Sequence, residues 1–274
     1  LDYHGDMETY ALAKQHLFLG LEPRHWVLNA ATPAAAELAQ FAPAFTLYGD
    51  GAGASVHAED VVAAPAGMAF ELVTPLGRAP VQSRLMGRFN VDNLLACASV
   101  LLAQGVSFTD VAAQLAQLNP VPGRMQVVSQ QPQILVDYAH TPDGLDAALQ
   151  GAREHCRGQL WVVFGAGGDR DVGKRPLMGA VADRGADRCV LTSDNPRSED
   201  PELILDDIEA GMEGTPLREA NRVRAIAMAI QAMGPNDTLL IAGKGHEREQ
   251  IIGSQVIAHD DREVARQAVE SLHA

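Results

Sequence analysis

ILVDYAHTPDGLDAALQ, residues Ile134 to Gln150, sets the fold class. It begins with an apolar run, Ile134 to Tyr138, crosses a polar turn, and becomes helical at Thr141-Pro142, a pair suited to N-cap and first-turn proline. The run is continuous where a half-exposed strand would alternate, which is the pattern of a parallel strand covered on both faces. The same unit recurs downstream. Leu160 to Phe164 precedes a helix near Arg175 to Ala186, and Cys189 to Leu191 precedes a helix from Pro201. A helix near Val223 to Met233, a strand at Thr238 to Ile241 and a last helix from Asp261 complete the series. Strand and helix alternation of this kind predicts a doubly wound α/β domain, whose ligands sit outside the carboxyl ends of the strands. Four polar loops then share one rim: DYAHTPD, GAGGDRDVGKR, TSDNPRSEDP and AGKGHEREQ.

Upstream, a helix is expected over Met7 to Leu19, with short strands at Trp26 to Ala30, Phe45 to Tyr48, Phe70 to Val73 and Val81 to Met86. Two helices follow. The first, about Asn90 to Ala103, is apolar on most faces and is expected to be buried; the second covers Phe108 to Leu118. NPVPGR, Asn119 to Arg124, is the strongest boundary signal, so the expected domains are 1–120 and 121–274.

With 274 residues there is material for two ordinary domains with real cores. A net charge of -14 argues against a general nucleic-acid surface, so any anion site must be a local basic pocket. No apolar stretch is long enough to span a bilayer. Cys97, Cys156 and Cys189 lie in apolar segments without metal-ligand spacing; they read as buried, inert thiols of a reducing cytoplasm. The chain opens without the basic, apolar and small-residue pattern of a signal segment, and with no initiator Met it reads as a fragment or processed product.

GDRDVGKR, Gly168 to Arg175, places glycines and Lys174 as in a phosphate loop, but Arg175 stands where Mg²⁺ binding needs a Ser or Thr hydroxyl. The alternatives are a glycine-rich turn with solvated charges, or a turn whose Arg170 clamps a ligand carboxylate. In Asp194-Asn195-Pro196-Arg197 the proline fixes the turn. Asp194 can accept from an ammonium, Asn195 can both donate and accept, and Arg197 can clamp a carboxylate; a capped turn with a surface ion pair is the plainer reading. Gly243 and Gly245 let backbone approach a ligand closely, with Glu249 near enough to receive an amine. Asn90 and Asn93, one turn apart, can cap the helix or present amides to a flat polar ring. Lys14, in a largely apolar helical segment, either snorkels outward or is chemically modified.

YHGDMETYALAK, GRFNVDNLLA, VPGRMQVV, VDYAHTPDGLDAAL, FGAGGDRDVGKRPLMG, TSDNPRSEDP and AGKGHE, in this order, resemble the Mur ligase family, over nearly the whole chain. The DNPR form is similar to that of the members that add meso-diaminopimelate to UDP-N-acetylmuramoyl-L-alanyl-D-glutamate, as distinct from those adding L-lysine. The resemblance implies the later part of a central ATPase-type α/β domain followed by a Rossmann-like C-terminal domain, in a cytoplasmic, monomeric ligase using ATP and Mg²⁺. It carries Arg170, Asp194, Asn195, Pro196, Arg197, Gly245 and Glu249 to diaminopimelate, and Asn90, Asn93, Arg124, Asp137 and His140 to ATP. His140 and Lys14 are the implied catalytic residues, Lys14 also holding Mg²⁺ if carbamylated. It further implies an acyl-phosphate route, and an N-terminal nucleotide-sugar domain and phosphate loop not found in these 274 residues, so the chain alone is expected to be inactive. An L-lysine-adding ligase, a folylpolyglutamate-type ligase and a non-catalytic amino-acid-binding module are the competing readings.

Overall fold

The computed structural model describes residues 6–21, 23–64 and 66–272. Residues 3–5 of the opening YHGDMETYALAK motif lie outside them. The chain forms two compact units. One holds the residues up to Val62 with Met68–Ser83 and Arg88–Leu118; the other holds Asn119–Ala274 with Ala63–Gly67 and Arg84–Gly87.

In the first unit, α1 (Met7–Leu19) starts at Asp6, whose carboxylate accepts from the Thr9 amide at 2.7 Å. β1 (Trp26–Asn29), α2 (Ala35–Ala39) and β2 (Phe45–Tyr48) follow, and β1 and β2 pair in parallel. Their small core is Trp26, Leu28, Ala35, Leu38 and Ala39. β3 (His57–Ala64), β4 (Gly67–Thr74) and β5 (Gly77–Ser83) form a three-stranded sheet in that order. The sequence missed β3, whose charged and small residues lack an apolar run, and placed β5 too late. The turn between Thr74 and Gly77, where Gly77 takes φ +150, starts that strand early. α3 (Arg88–Ala103) and α4 (Phe108–Leu115) complete the unit, α4 capped by Ser107. The expectation that α3 is buried holds for Val91, Leu94, Leu95, Ala98 and Ser99 but fails on the opposite stripe. Asn93, Cys97 and Val100, spaced by four and three residues, are exposed together, so Cys97 is an accessible thiol.

The second unit contains β6 (Gln126–Gln130), β7 (Gln133–Asp137), α5 (Pro142–His155), β8 (Leu160–Phe164), α6 (Lys174–Gly185), β9 (Arg188–Leu191), α7 (Pro201–Glu209), β10 (Leu217–Arg218), α8 (Arg222–Ala232), β11 (Thr238–Ala242), β12 (Glu249–Ile252), β13 (Gln255–Ala258) and α9 (Asp261–Leu272). Its six-stranded sheet runs β10-β9-β8-β11-β7-β6, parallel except for the edge strand β6. One face, Ile134, Val136, Trp161, Val163, Val190, Leu239 and Ile241, packs on Ala225, Ile226, Ala229 and Ile230 of α8 and Ala265 of α9. The alternate residues Leu135, Val162 and Leu240 are equally buried on the other face, where α5 meets β8 and β11 and α6 meets β9. This is the doubly wound α/β domain that the continuous apolar runs predict. Thr141 and Asp200 cap α5 and α7, each followed by its first-turn proline. Since β7, β8, β9 and β11 are parallel, their carboxyl-end loops share one rim.

Candidate functional site

Three rim loops are tied together through glycines too crowded to carry a side chain. A Cβ on Gly165 would overlap the Thr192 carbonyl oxygen, and one on Gly168 the Pro196 carbonyl oxygen. The Gly168 amide donates to Asn195 O at 2.9 Å, and the Arg197 guanidinium donates through one terminal nitrogen to Gly168 O at 2.8 Å. Asp169 then accepts from the Ser198 hydroxyl at 2.6 Å, while Glu199 accepts from the Asp169 amide at 2.5 Å. The Ser198 hydrogen bonds hold the Asp169 carboxyl below its ordinary value. Gly243, φ +113, lies where a Cβ would come within 2.7 Å of an Asp194 carboxylate oxygen.

Within the Asp194–Arg197 turn, the side chains divide. Asn195, 6% exposed, faces inward: its oxygen accepts from Lys244 Nζ and the Ile251 amide, both at 3.0 Å, and its nitrogen donates to Glu247 at 3.1 Å. Arg197 sits at φ +51, in the left-handed region, and is half-buried. Its Nε and second terminal nitrogen make no hydrogen bond among the described residues, which leaves a bidentate edge open in the same turn that carries Asp194. Arg170 is exposed, with no hydrogen bond or ion pair among the described residues, and Glu249 is exposed at the start of β12.

On the adjoining strand β7, Asp137 is buried and accepts from the Met125 and Ala139 amides at 2.7 and 2.8 Å. Burial pushes its carboxyl up, against those two hydrogen bonds and the nearby Arg124 charge. Next to it, Tyr138 is a platform: Arg124 lies 4.5 Å over its ring, and the His140 and His246 rings are 4.7 and 5.4 Å away. His140 is exposed, with Nδ1 2.9 Å from Tyr138 O, and Lys174 Nζ donates to His140 O at 3.0 Å. Gly245, φ +55, packs between Gly123 and Tyr138. Arg124, Asp137 and His140 are thus brought to one place. In the first unit, the Asn93 amide donates to the Asn90 oxygen at 3.0 Å. As α3 starts at Arg88, Asn90 lies inside the helix, not at its cap. Lys14 is exposed on α1 with its ammonium 5.3 Å from the Tyr10 ring centre.

Comparison with known families gives two matches in chain order, the Mur ligase middle domain over residues 1–101 and the Mur ligase glutamate ligase domain over residues 123–245. The chain belongs to the Mur ligase family. A UDP-N-acetylmuramoyl-L-alanyl-D-glutamate–2,6-diaminopimelate ligase of Coxiella burnetii is 46% identical over 98% of this chain and 58% of its own length. A solved structure of a ligase of that name aligns with TM-score 0.70 and 38% identity, over 99% of this chain and 58% of the other. A MurF ligase from Thermotoga maritima in complex with ADP shares the fold, with TM-score 0.73 at 14% identity over 98% and 58% of the two chains. The chain therefore spans a little over half the length of the relatives it matches.

Within this member of the family, the loop that nearly matches a phosphate-binding motif holds a structural tie. Arg175, 1% exposed, donates to Asp207 and Glu199, each at 2.9 Å, and joins the first turn of α6 to α7 and the Asp194–Arg197 loop. It is an internal tie and not a solvated charge. Three further groups escaped the sequence reading. Lys244 is fully buried beneath Asn195 and Glu247. Arg222 is equally buried, paired with Asp261 at 2.7 Å, and donates to Ser193 O and Ala242 O, the carboxyl ends of β9 and β11. His259 adds a 2.7 Å contact to Asp261. Burial alone would raise the Asp261 carboxyl, but the Arg222 charge and the hydrogen bonds outweigh it and hold it far below its ordinary value. A signal for Lys244 was present in its place between Gly243 and Gly245 just after a strand, although a lysine in such a turn reads as solvated.

Proposed function

We propose that this chain is the ATP- and amino-acid-binding portion of a ligase that joins meso-diaminopimelate to UDP-N-acetylmuramoyl-L-alanyl-D-glutamate. The observation that carries the reading is the open bidentate edge of Arg197, three residues from the Asp194 carboxylate in one turn. Together they offer a zwitterionic end of an amino acid one carboxylate clamp and one ammonium acceptor. Arg170, Gly245 and Glu249 contribute from the same rim, with Pro196 shaping the turn and Asn195 supporting it. Glu247, held by Asn195 and Lys244, joins them as an acceptor for an amine. Residues 121–274 form the amino-acid domain in this reading, and residues 1–120 belong to the ATP domain.

Arg124, Asp137 and His140, around Tyr138, with Asn90 and Asn93 on α3, are assigned to ATP. In the reaction, the γ-phosphoryl group passes to the nucleotide-sugar carboxylate and ADP leaves. The diaminopimelate amine attacks the acyl phosphate, the new C–N bond forms, and phosphate departs as the amine loses its proton. Arg124 and Lys174, beside Tyr138 and His140, supply electrostatic stabilisation to the migrating phosphoryl oxygens in this reading. Among the described residues no group of three His, Cys, Asp or Glu can hold a metal ion. Lys14, if carbamylated, would offer Mg²⁺ one carboxylate ligand. Water-soluble nucleotide-linked substrates fit a cytoplasmic location, the family resemblance alone supports a monomer, and among the described residues no helix is long and apolar enough to cross a membrane.

The test is turnover in the full-length protein that carries this chain. ADP release should require both the UDP-linked dipeptide and meso-diaminopimelate. Equal turnover with L-lysine would refute the assignment.

A further inference from the structure

A lysine with no exposed surface is rare, because an ammonium leaves water only where charge and hydrogen bonds replace its hydration. Lys244 is such a residue: its side chain is 0% exposed, and its ammonium donates to Asn195 Oδ1 and Glu247 Oε2, both at 3.0 Å. The Asn195 amide can then take only one orientation. Its oxygen receives Lys244 Nζ and the Ile251 amide, so its nitrogen must point to Glu247 Oε2, which it meets at 3.1 Å. Two donors therefore converge on one oxygen of Glu247. The other, Oε1, makes no hydrogen bond among the described residues, on a side chain 34% exposed at the rim.

We infer that Lys244 is a positioning residue of the amino-acid site: its buried ammonium locks the Asn195 amide and one Glu247 oxygen, and so presents the other Glu247 oxygen to the ammonium of the incoming amino acid. The inference rests on the reading that this rim binds diaminopimelate. Lys244 touches no substrate. It acts through Glu247, an acid held at one oxygen and displayed at the other, and through Asn195, which anchors the Asp194–Arg197 turn to β12 by way of the Ile251 amide. A carboxylate fixed in advance loses little rotamer freedom on binding, and pre-organisation of this kind appears as tighter use of one substrate without a change in another.

The experiment measures KM for meso-diaminopimelate and for ATP in the full-length protein with Lys244→Met, Glu247→Gln and the two combined. Lys244→Met should raise the diaminopimelate KM about tenfold or more, the scale of a lost charge-assisted hydrogen bond, with the ATP KM within about twofold of the parent. In the Glu247→Gln background the same change should move the diaminopimelate KM by clearly less than in the parent, because one of the two groups it acts through is gone. A merely structural Lys244 would instead give equal losses in both backgrounds and move both KM values, and that result overturns the inference. Lys244→Gln, neutral and less costly to bury, repeats the comparison should the methionine variant fail to fold. Absence of turnover with diaminopimelate in the unmodified protein would strike the underlying reading of the rim, an outcome separate from any result on Lys244.

Discussion

Replacing Arg197 separates what its backbone does from what its side chain does. The residue adopts φ +51, a region that costs a non-glycine residue about 1 kcal/mol, and one guanidinium nitrogen is spent on Gly168 O at 2.8 Å. Arg197→Ala keeps the backbone strain and loses that hydrogen bond, so the folded state should weaken by about 1 kcal/mol. Arg197→Gly loses the same bond but relieves the strain, and its melting temperature should stay close to the parent's. Both variants remove the open Nε edge. Loss of a buried charge-assisted pair costs ~2–5 kcal/mol, which at about 1.4 kcal/mol per tenfold is a fall of roughly 30-fold to several thousandfold in kcat/KM for diaminopimelate. Arg197→Lys should fail similarly, since a point charge cannot reproduce the planar fork. Calorimetric melting and amide formation with diaminopimelate and L-lysine check the two halves. Should Arg197→Gly keep its preference for diaminopimelate, the turn would be a structural device and the proposed recognition would be wrong.

Other expectations are as direct. Gly168→Ala should lower the melting temperature and impair diaminopimelate use together, because the new methyl overlaps the Pro196 carbonyl and parts two loops joined by hydrogen bonds; a cost of about 2–4 kcal/mol is expected. Asp261→Asn leaves the buried Arg222 without its counter-charge, and breaking such a pair costs about 3–5 kcal/mol by urea unfolding. Because the folded Asp261 carboxyl lies below its ordinary 3.8, its contribution is complete above that value and fades as pH falls further; the parent should show a steeper acid loss below about pH 4 than the variant. Under alkylation at pH 8, Cys97 should react first and Cys189 resist until unfolding, since Cys97 is exposed while burial pushes the Cys189 thiol up to about 12; mass mapping that finds Cys189 modified first would contradict this.

The parallel sheet was legible because its strands are buried on both faces. Leu160–Phe164 is bounded in sequence as it is in space, and Thr141-Pro142 and Asp200-Pro201 mark helix starts by local chemistry alone. β12 and β13 were not legible. They are four residues each, and β13 is exposed throughout, so no period emerges. In the site, Asp194 and Arg197 announce themselves by residue type within one turn. Lys244 and Arg222 do not, because Asn195 and Asp261, which help to bury them, lie 49 and 39 residues away and only the fold turns ordinary surface cations into buried ties.

The turn that carries Arg197 is also stitched to the β12–β13 hairpin. The Arg197 amide donates to Ile251 O at 3.1 Å, the Gly253 amide donates to Arg197 O at 2.6 Å, and the two segments form a parallel bridge at Ile252. If this turn selects the amino acid, as proposed, that choice is not portable as a four-residue cassette. A graft of Asp-Asn-Pro-Arg into a related scaffold would arrive without the strand that sets its curvature, and diversification toward another amino acid would have to alter two segments more than fifty residues apart in the same lineage.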